Sequence, residues 1–194
     1  MGYVPTHRQV LILPYIVLVT GGSRSGKSDY ARRRAEDLDG PRAFIATCTP
    51  VDAEMAERIR RHRLARDPDQ WTTIEEPVDV ADALVDASEF KVVLIDCLTL
   101  WINNLMFQAE TEGTAIHEDD VTLACERLLS ACDQFNGTVI MVTNEIGMGI
   151  VPDNPKSRLY RDLVGRCNQI MAAAADEVVL LVSGVSLNIK GKGS

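Results

Sequence analysis

The segment from residue 16 to residue 30, IVLVTGGSRSGKSDY, constrains the fold more than any other part of the chain. It begins with a short β-branched run, continues through a glycine-rich turn and leads into residues that can form a helix. The turn matches the pattern GxxxxGK[ST], with Gly21 and Gly26 followed by Lys27 and Ser28. A strand, a glycine-rich loop and a helix in this order are typical of the phosphate-binding loop of P-loop nucleotide enzymes.

Each part of this loop predicts a contact with a polyphosphate. Glycines let backbone amides converge on an anion, and the helix start adds its dipole. Lys27 is expected to reach the terminal phosphates, and the Ser28 hydroxyl to ligate Mg²⁺. The alternative is a coincidental glycine- and serine-rich turn. Such a pattern is expected by chance in roughly one chain in a hundred of this length. The residues predicted to contact the nucleotide are Gly21, Gly22, Ser23, Arg24, Ser25, Gly26, Lys27 and Ser28.

Five short runs that are apolar on both faces predict buried strands. They alternate with longer segments of helical periodicity, which favours a doubly wound, mostly parallel α/β sheet with helices on both faces, as in RecA-like P-loop NTPases. Residues 15–194 are expected to form one catalytic domain, and residues 1–14 an N-terminal extension outside its core. The predicted strands are 16–20, 43–46, 92–95, 138–142 and 177–182.

Apolar spacings of three and four residues predict helices at 119–135 and 157–175, besides the helix that begins near Lys27. Pro155 precedes the expected N-cap of the second of these helices, Ser157. Gly165 lies inside that helix, where glycine costs about 1 kcal/mol relative to alanine unless close packing requires it.

The net charge and the cysteine content argue against several classes of protein. A net charge of −8 argues against sequence-independent nucleic-acid binding, which needs a basic surface. The five cysteines form an odd set without a CxxC pair, which favours a reducing cytoplasm over a disulfide framework or a zinc site. No apolar run reaches the roughly 18 residues that a membrane-spanning helix needs, and we expect no signal peptide.

Asp96 ends the predicted strand VVLID, where a P-loop enzyme keeps the carboxylate that binds Mg²⁺ directly or through water. Alternatively, Asp96 caps the following helix. The upstream phosphate loop favours the metal role.

A helix predicted at residues 52–66 carries His62 on the same face as Met55 and Ile59. A lone histidine on an apolar helix face is usually structural. Five arginines surround it, however, and their charge would suit a second phosphate-bearing site. These are Arg58, Arg60, Arg61, Arg63 and Arg66.

The stretch TNEIGMGIVPDN, residues 143–154, follows a predicted strand at the edge where open α/β sheets bind ligands. Met148, Ile150 and Val151 offer an apolar surface to a bulky substrate, and Asn144 and Glu145 offer polar anchors. We interpret this stretch as a substrate wall, the alternative being a mobile surface loop.

Four segments together resemble the bifunctional adenosylcobinamide kinase/adenosylcobinamide-phosphate guanylyltransferase family of cobalamin biosynthesis. The resemblance covers nearly all of residues 16–190. The segments are TGGSRSGKS, DAEMAERIRRHR, TNEIGMGIVP and NQIMAAAADEVVLLVSG.

That resemblance implies two reactions. A nucleoside triphosphate, GTP or ATP, phosphorylates the aminopropanol hydroxyl of adenosylcobinamide, and GMP from GTP is then transferred onto the new phosphate. His62 takes the family's position for the guanylylated histidine, so the resemblance makes it, with Lys27, a catalytic residue. Covalent catalysis of this kind divides one displacement into two.

The resemblance also implies further contacts around the guanine nucleotide and a homo-oligomeric state. The contact of Asp96, with metal or ribose, stays open. A P-loop small-molecule kinase without guanylyltransferase activity and a RecA-like nucleotide switch are the alternative functions. The residues implied around the nucleotide are Thr47, Cys48, Thr49, Arg63, Arg66, Glu75 and Asp96.

Overall fold

The fold is that of a computed structural model, which describes residues 14–48, 57 and 70–191. Within these ranges strands and helices alternate along most of the chain. The strands are β1 (Tyr15–Gly21), β2 (Arg42–Ala46), β3 (Trp71–Glu75), β4 (Val92–Asp96), β5 (Thr138–Val142), β6 (Glu177–Val182) and β7 (Val185–Lys190). The helices are α1 (Lys27–Glu36), α2 (Val80–Asp86), α3 (Leu98–Thr111), α4 (Glu118–Gln134) and α5 (Pro155–Ala174), with a 3₁₀ turn at Ile146–Met148.

The strands form one seven-stranded sheet in the order β3-β2-β4-β5-β1-β6-β7. Strands β1 to β6 pair in parallel, and only β7 is antiparallel, paired with β6. Crossover helices are needed between parallel neighbours, which explains the alternation seen in the sequence. The predicted doubly wound, mostly parallel α/β fold is thus confirmed.

The sheet is covered on both faces by apolar clusters, because alternate residues of each central strand point to opposite sides. One cluster joins Leu18, Ile45 and Ile95 to residues of α2, α3, α4 and α5. The other joins Val17 and Leu94 to residues of α1. Burial on both faces accounts for the nearly continuous apolar runs that predicted these strands.

The two helices predicted from apolar periodicity at 119–135 and 157–175 are present and begin at Glu118 and Pro155. Helix α4 begins at Glu118, behind a capping box in which His117 N donates to Asp120 Oδ2 at 2.8 Å. The predicted cap of α5, Ser157, is wrong. Asn154 caps this helix, since its Oδ1 accepts from the backbone nitrogens of Lys156 and Ser157, and proline then occupies the first helical turn.

Two strands at the sheet edges were not predicted. Most of β3 beyond Trp71 is exposed, and most of β7 is also exposed. Their sequences, WTTIE and VSLNIK, mix polar and apolar residues because only part of each strand meets the core. Edge strands therefore lack the apolar runs that reveal central ones.

Two predictions concern residues that the structure does not describe. Residues 1–13 of the expected N-terminal extension lie outside the described residues. So does the expected helix at 52–66, except for Glu57, which is helical.

Replacing Gly165 with alanine is expected to raise the free energy of unfolding by about 0.5–1 kcal/mol, because alanine restricts the unfolded chain more than glycine. Gly165 lies within α5, and a Cβ built there meets no atom within 4 Å. Urea unfolding followed by circular dichroism measures the change.

Gly137→Ala is the matched control. A Cβ there would lie 2.2 Å from Lys91 O, so this variant should be less stable than the parent. A Gly165→Ala protein that is no more stable than the parent would contradict the prediction.

Candidate nucleotide-binding site

The loop between β1 and α1 has the backbone that its glycines predict. Gly21 has φ +153°, and a Cβ on it would lie 2.4 Å from Leu181 O of β6. Gly26, the N-cap of α1, is left-handed with φ +91°. Both positions therefore require glycine, one because of a close approach and the other because of its dihedral angles.

The loop is braced by its own polar groups and by the turn after β6. Ser25 N donates to Gly22 O at 3.3 Å, and Lys27 Nζ donates to the same oxygen at 2.9 Å. From the β6–β7 turn, Gly184 N donates to Ser25 O at 2.9 Å. Ser25 Oγ is buried and has no hydrogen-bond partner among the described residues, so a loop built for anions retains a spare donor.

Ser28 and Asp96, the predicted Mg²⁺ ligands, lie on elements that meet at one edge of the sheet. Ser28 is half-buried in the first turn of α1. Asp96 ends β4 and is in register with Val142 of β5, the strand between β4 and β1. The N-cap position of α3 is occupied by Cys97 and not by Asp96, so the alternative role for Asp96 is not observed.

The pKa of the Cys97 thiol depends on its burial and on the charges around it. Burial raises its pKa to about 12, assisted by the Asp96 carboxylate and opposed in part by Lys27. The thiol is therefore uncharged at neutral pH and is a poor metal ligand there. Both charges lie near enough to influence the same sulfur, which puts the predicted Mg²⁺ ligand and the loop lysine in one neighbourhood.

Metal ligands are few in this neighbourhood. No group of three or more His, Cys, Asp or Glu side chains within the described ranges could hold a metal ion. Mg²⁺ in nucleotide enzymes is usually held by one or two side chains together with substrate phosphates and water. Ser28 and Asp96 are suited to that arrangement, and their metal role stays a prediction.

Three residues implied around the guanine nucleotide lie at the same edge. Glu75 ends β3, exposed and in register with Ala46, and Cys48 is half-buried just beyond β2. Thr47 is fully buried, and its Oγ1 accepts from Cys97 N and donates to Cys97 O, both at 2.8 Å. Its hydroxyl therefore ties β2 to the exit of β4. The remaining candidates, Thr49, His62, Arg63 and Arg66, lie outside the described residues.

A polar network behind the phosphate loop was missed by sequence reasoning. Thr20 Oγ1 donates to Glu145 Oε1 at 2.9 Å, and Asn168 Nδ2 donates to the same oxygen at 3.3 Å. Asn168 also donates to Asn144 O at 3.1 Å and accepts from Thr143 Oγ1 at 2.6 Å. The sequence pointed to Asn144 and Glu145, but nothing in it linked them to residues of β1 and α5.

Beyond this network the chain presents an apolar surface. Met148, Ile150 and Val151 are 79%, 96% and 59% exposed. Gly147, directly before Met148, and Gly149, directly after it, are also exposed. The predicted substrate wall thus begins beside the phosphate loop and presents apolar side chains to solvent.

The glycine-rich loop between the central strand and the first helix of a doubly wound sheet defines a protein of the P-loop nucleotide-binding class. No helix in the described part of the chain is long and apolar enough to cross a membrane. Residues 17–189 match the model of the family described as "Cobinamide kinase / cobinamide phosphate guanyltransferase". The chain belongs to this family of enzymes.

Curated relatives are similar over nearly their whole length. The "Bifunctional adenosylcobalamin biosynthesis protein CobU" of Escherichia coli K12 is 41% identical over an alignment of 186 residues that covers 90% of this chain and 99% of the relative. The protein of the same name from Salmonella typhimurium LT2 is 41% identical over 189 residues, with the same coverage. "Bifunctional adenosylcobalamin biosynthesis protein CobP" of Pseudomonas aeruginosa PAO1 is 38% identical over 178 residues, 90% of this chain and 97% of the relative.

Lys27→Ala is expected to weaken binding of a nucleoside triphosphate by about 10- to 100-fold, since a hydrogen bond to a charged group contributes about 1.5–3 kcal/mol. Titration calorimetry with a non-hydrolysable GTP analogue measures the loss.

Lys91→Ala is the control, because Lys91 precedes β4 at the opposite edge of the sheet. Equal affinities of the Lys27 and Lys91 variants would show that the loop lysine is not part of the binding site.

Proposed function

We propose that the protein phosphorylates adenosylcobinamide with a nucleoside triphosphate and then transfers GMP from GTP onto the new phosphate, giving adenosylcobinamide-GDP. The observation that carries this proposal is the family match over residues 17–189, which spans the phosphate loop and residue 62. The substrates are adenosylcobinamide and its phosphate, with GTP or ATP as nucleotide.

The kinase half is supported by the geometry of the phosphate loop. Backbone amides from Gly21 to Ser28 surround the phosphates, and Lys27 stabilises charge on the transferred group. Ser28 and Asp96 would hold Mg²⁺, which neutralises charge on the β- and γ-phosphates when bound. Lys27 already lies against the loop, hydrogen-bonded to Gly22 O at 2.9 Å, so a bound phosphate would replace an internal acceptor.

The transferase half requires a nucleophile, and His62 is the proposed one. Its unprotonated imidazole nitrogen attacks the α-phosphorus of GTP, pyrophosphate leaves, and GMP remains on the ring as a phosphoramidate. A phosphate oxygen of adenosylcobinamide phosphate then attacks the same phosphorus and releases the histidine. Neighbouring arginines, Arg63 and Arg66 among them, would neutralise phosphate charge and favour the neutral imidazole.

The exposed apolar segment is proposed to hold the acceptor. A corrinoid presents a large ring with apolar area, and Met148, Ile150 and Val151 offer exposed apolar side chains on the segment that follows Glu145, whose backbone nitrogen donates to Gly21 O. A substrate resting on this segment would bring its side-chain hydroxyl to the edge where β1 and β4 end.

Two further proposals concern the setting of the enzyme. All five cysteines are free thiols, and three of them are buried, which supports a reducing cytoplasm. A homo-oligomer is also proposed, with no nucleic acid or membrane as partner.

Incubation with GTP labelled in its α-phosphate is expected to leave acid-labile label on the parent protein and none on His62→Ala, because a phosphoramidate hydrolyses in acid and alanine offers no nucleophile. Mass spectrometry should place one added GMP on the peptide that contains His62.

Label on neither protein, together with phosphorylation of cobinamide, would leave a kinase without transferase activity. Nucleotide hydrolysis without turnover of cobinamide would instead favour the nucleotide switch.

Ile150→Asp is expected to raise the KM for adenosylcobinamide by about 10- to 100-fold, since burial of an isoleucine side chain contributes about 1.5–3 kcal/mol. Labelling by GTP should not change, because that step does not involve the corrinoid.

Leu123→Asp, at an exposed position of α4, is the control and should retain the parent KM. Equal KM values for both variants would place the acceptor elsewhere.

A further inference from the structure

Glu145 places a carboxylate beside the phosphate loop, where a negative charge would not help to bind a phosphate. Its backbone nitrogen donates to Gly21 O, the first residue of the phosphate loop, at 3.2 Å. It follows β5, which lies between the strand that carries the loop and the strand that ends in Asp96. A negative side chain here repels a polyphosphate, so its presence calls for a role other than binding the nucleotide.

One oxygen of this carboxylate is fixed by two buried donors. Thr20 is 4% exposed and Asn168 is 8% exposed, and both donate to Oε1, at 2.9 and 3.3 Å. Side chains held in this way by buried neighbours have a defined orientation. The carboxylate is therefore immobilised beside the loop.

The second oxygen, Oε2, makes no hydrogen bond within the described residues. Glu145 is half-buried, and the exposed apolar segment begins directly after it. A glutamine would serve as well for the bonds to Thr20 and Asn168 without repelling phosphate. The feature that distinguishes glutamate from glutamine is its capacity to take up a proton.

We propose that Glu145 is the proton acceptor for the hydroxyl of the acceptor substrate during phosphoryl transfer, an inference that rests on the proposed function. The hydroxyl oxygen forms a bond to the γ-phosphorus, and the bond from that phosphorus to the β–γ bridging oxygen breaks. The bridging oxygen leaves on the nucleoside diphosphate with the electron pair. The hydroxyl proton passes to Glu145 Oε2 and from there to water as product departs.

Transfer of GMP needs no such acceptor. The attacking groups in that half, an unprotonated imidazole and then a phosphate oxygen, carry no proton on the attacking atom. The role of Glu145 is therefore confined to one of the two reactions, and this separates it from residues that bind the nucleotide.

Glu145→Gln tests the proposal in the full-length protein. The kcat for phosphorylation of adenosylcobinamide is expected to fall by about 10²- to 10⁴-fold, the usual contribution of a general base. The KM for the nucleotide should remain close to the parent value. Labelling by α-labelled GTP and GMP transfer to previously phosphorylated cobinamide should also continue at the parent rate.

Glu110→Gln is the matched control, since Glu110 is an exposed residue of α3 paired with Lys156. Phosphorylation by Glu145→Gln at the parent rate would overturn the proposal, as would equal loss of both reactions or a loss of nucleotide binding, because these would indicate a purely structural role. If the parent protein itself phosphorylates no cobinamide, the proposed function fails and this inference falls with it.

Discussion

The parallel pairing of β4, β5 and β1 is the constraint on which the site depends. Asp96 is opposite Val142, and Val142 is opposite Val19, so the three strands reach the same edge together. Strand β1 runs two residues further, to Gly21, which brings the phosphate loop level with Glu145. A slip of one residue in either pairing would turn the side chains of a strand to the opposite face.

Behind the loop, buried and half-buried polar side chains are joined by hydrogen bonds. The bonds among Thr20, Thr143, Glu145 and Asn168 connect β1, the exit of β5 and α5. Buried networks are rigid when each member has a partner, and costly when one is lost. The site therefore combines a hydrogen-bonded network behind the phosphate loop with an exposed apolar segment from Gly147 to Val151.

Local signals accounted for most of what the sequence could predict. The phosphate loop is encoded within eight consecutive positions, and the central strands are revealed by burial on both faces. The edge strands β3 and β7 escaped because much of their surface meets solvent. The cap of α5 was misplaced by three residues because Ser157 and Asn154 are both good caps, and only the position of Pro155 favours the latter.

The polar network could not be predicted, for a different reason. Thr20 and Glu145 are 125 positions apart, and no periodicity or motif links them. Their contact arises only when β5 is inserted next to β1, so it depends on strand order, which the sequence did not provide. Site residues supplied by a single turn are readable in advance, whereas those assembled across strands are not.

The bracing of the phosphate loop by β6 and its following turn has a consequence for biosynthesis. Leu181 O lies against Gly21, and Gly184 N donates to Ser25 O, although the loop precedes β6 and its turn by most of the sheet in chain order. During translation the loop emerges from the ribosome long before these supports do. In a nascent chain the loop therefore lacks these supports until β6 and the turn after it have been synthesised and have joined the sheet.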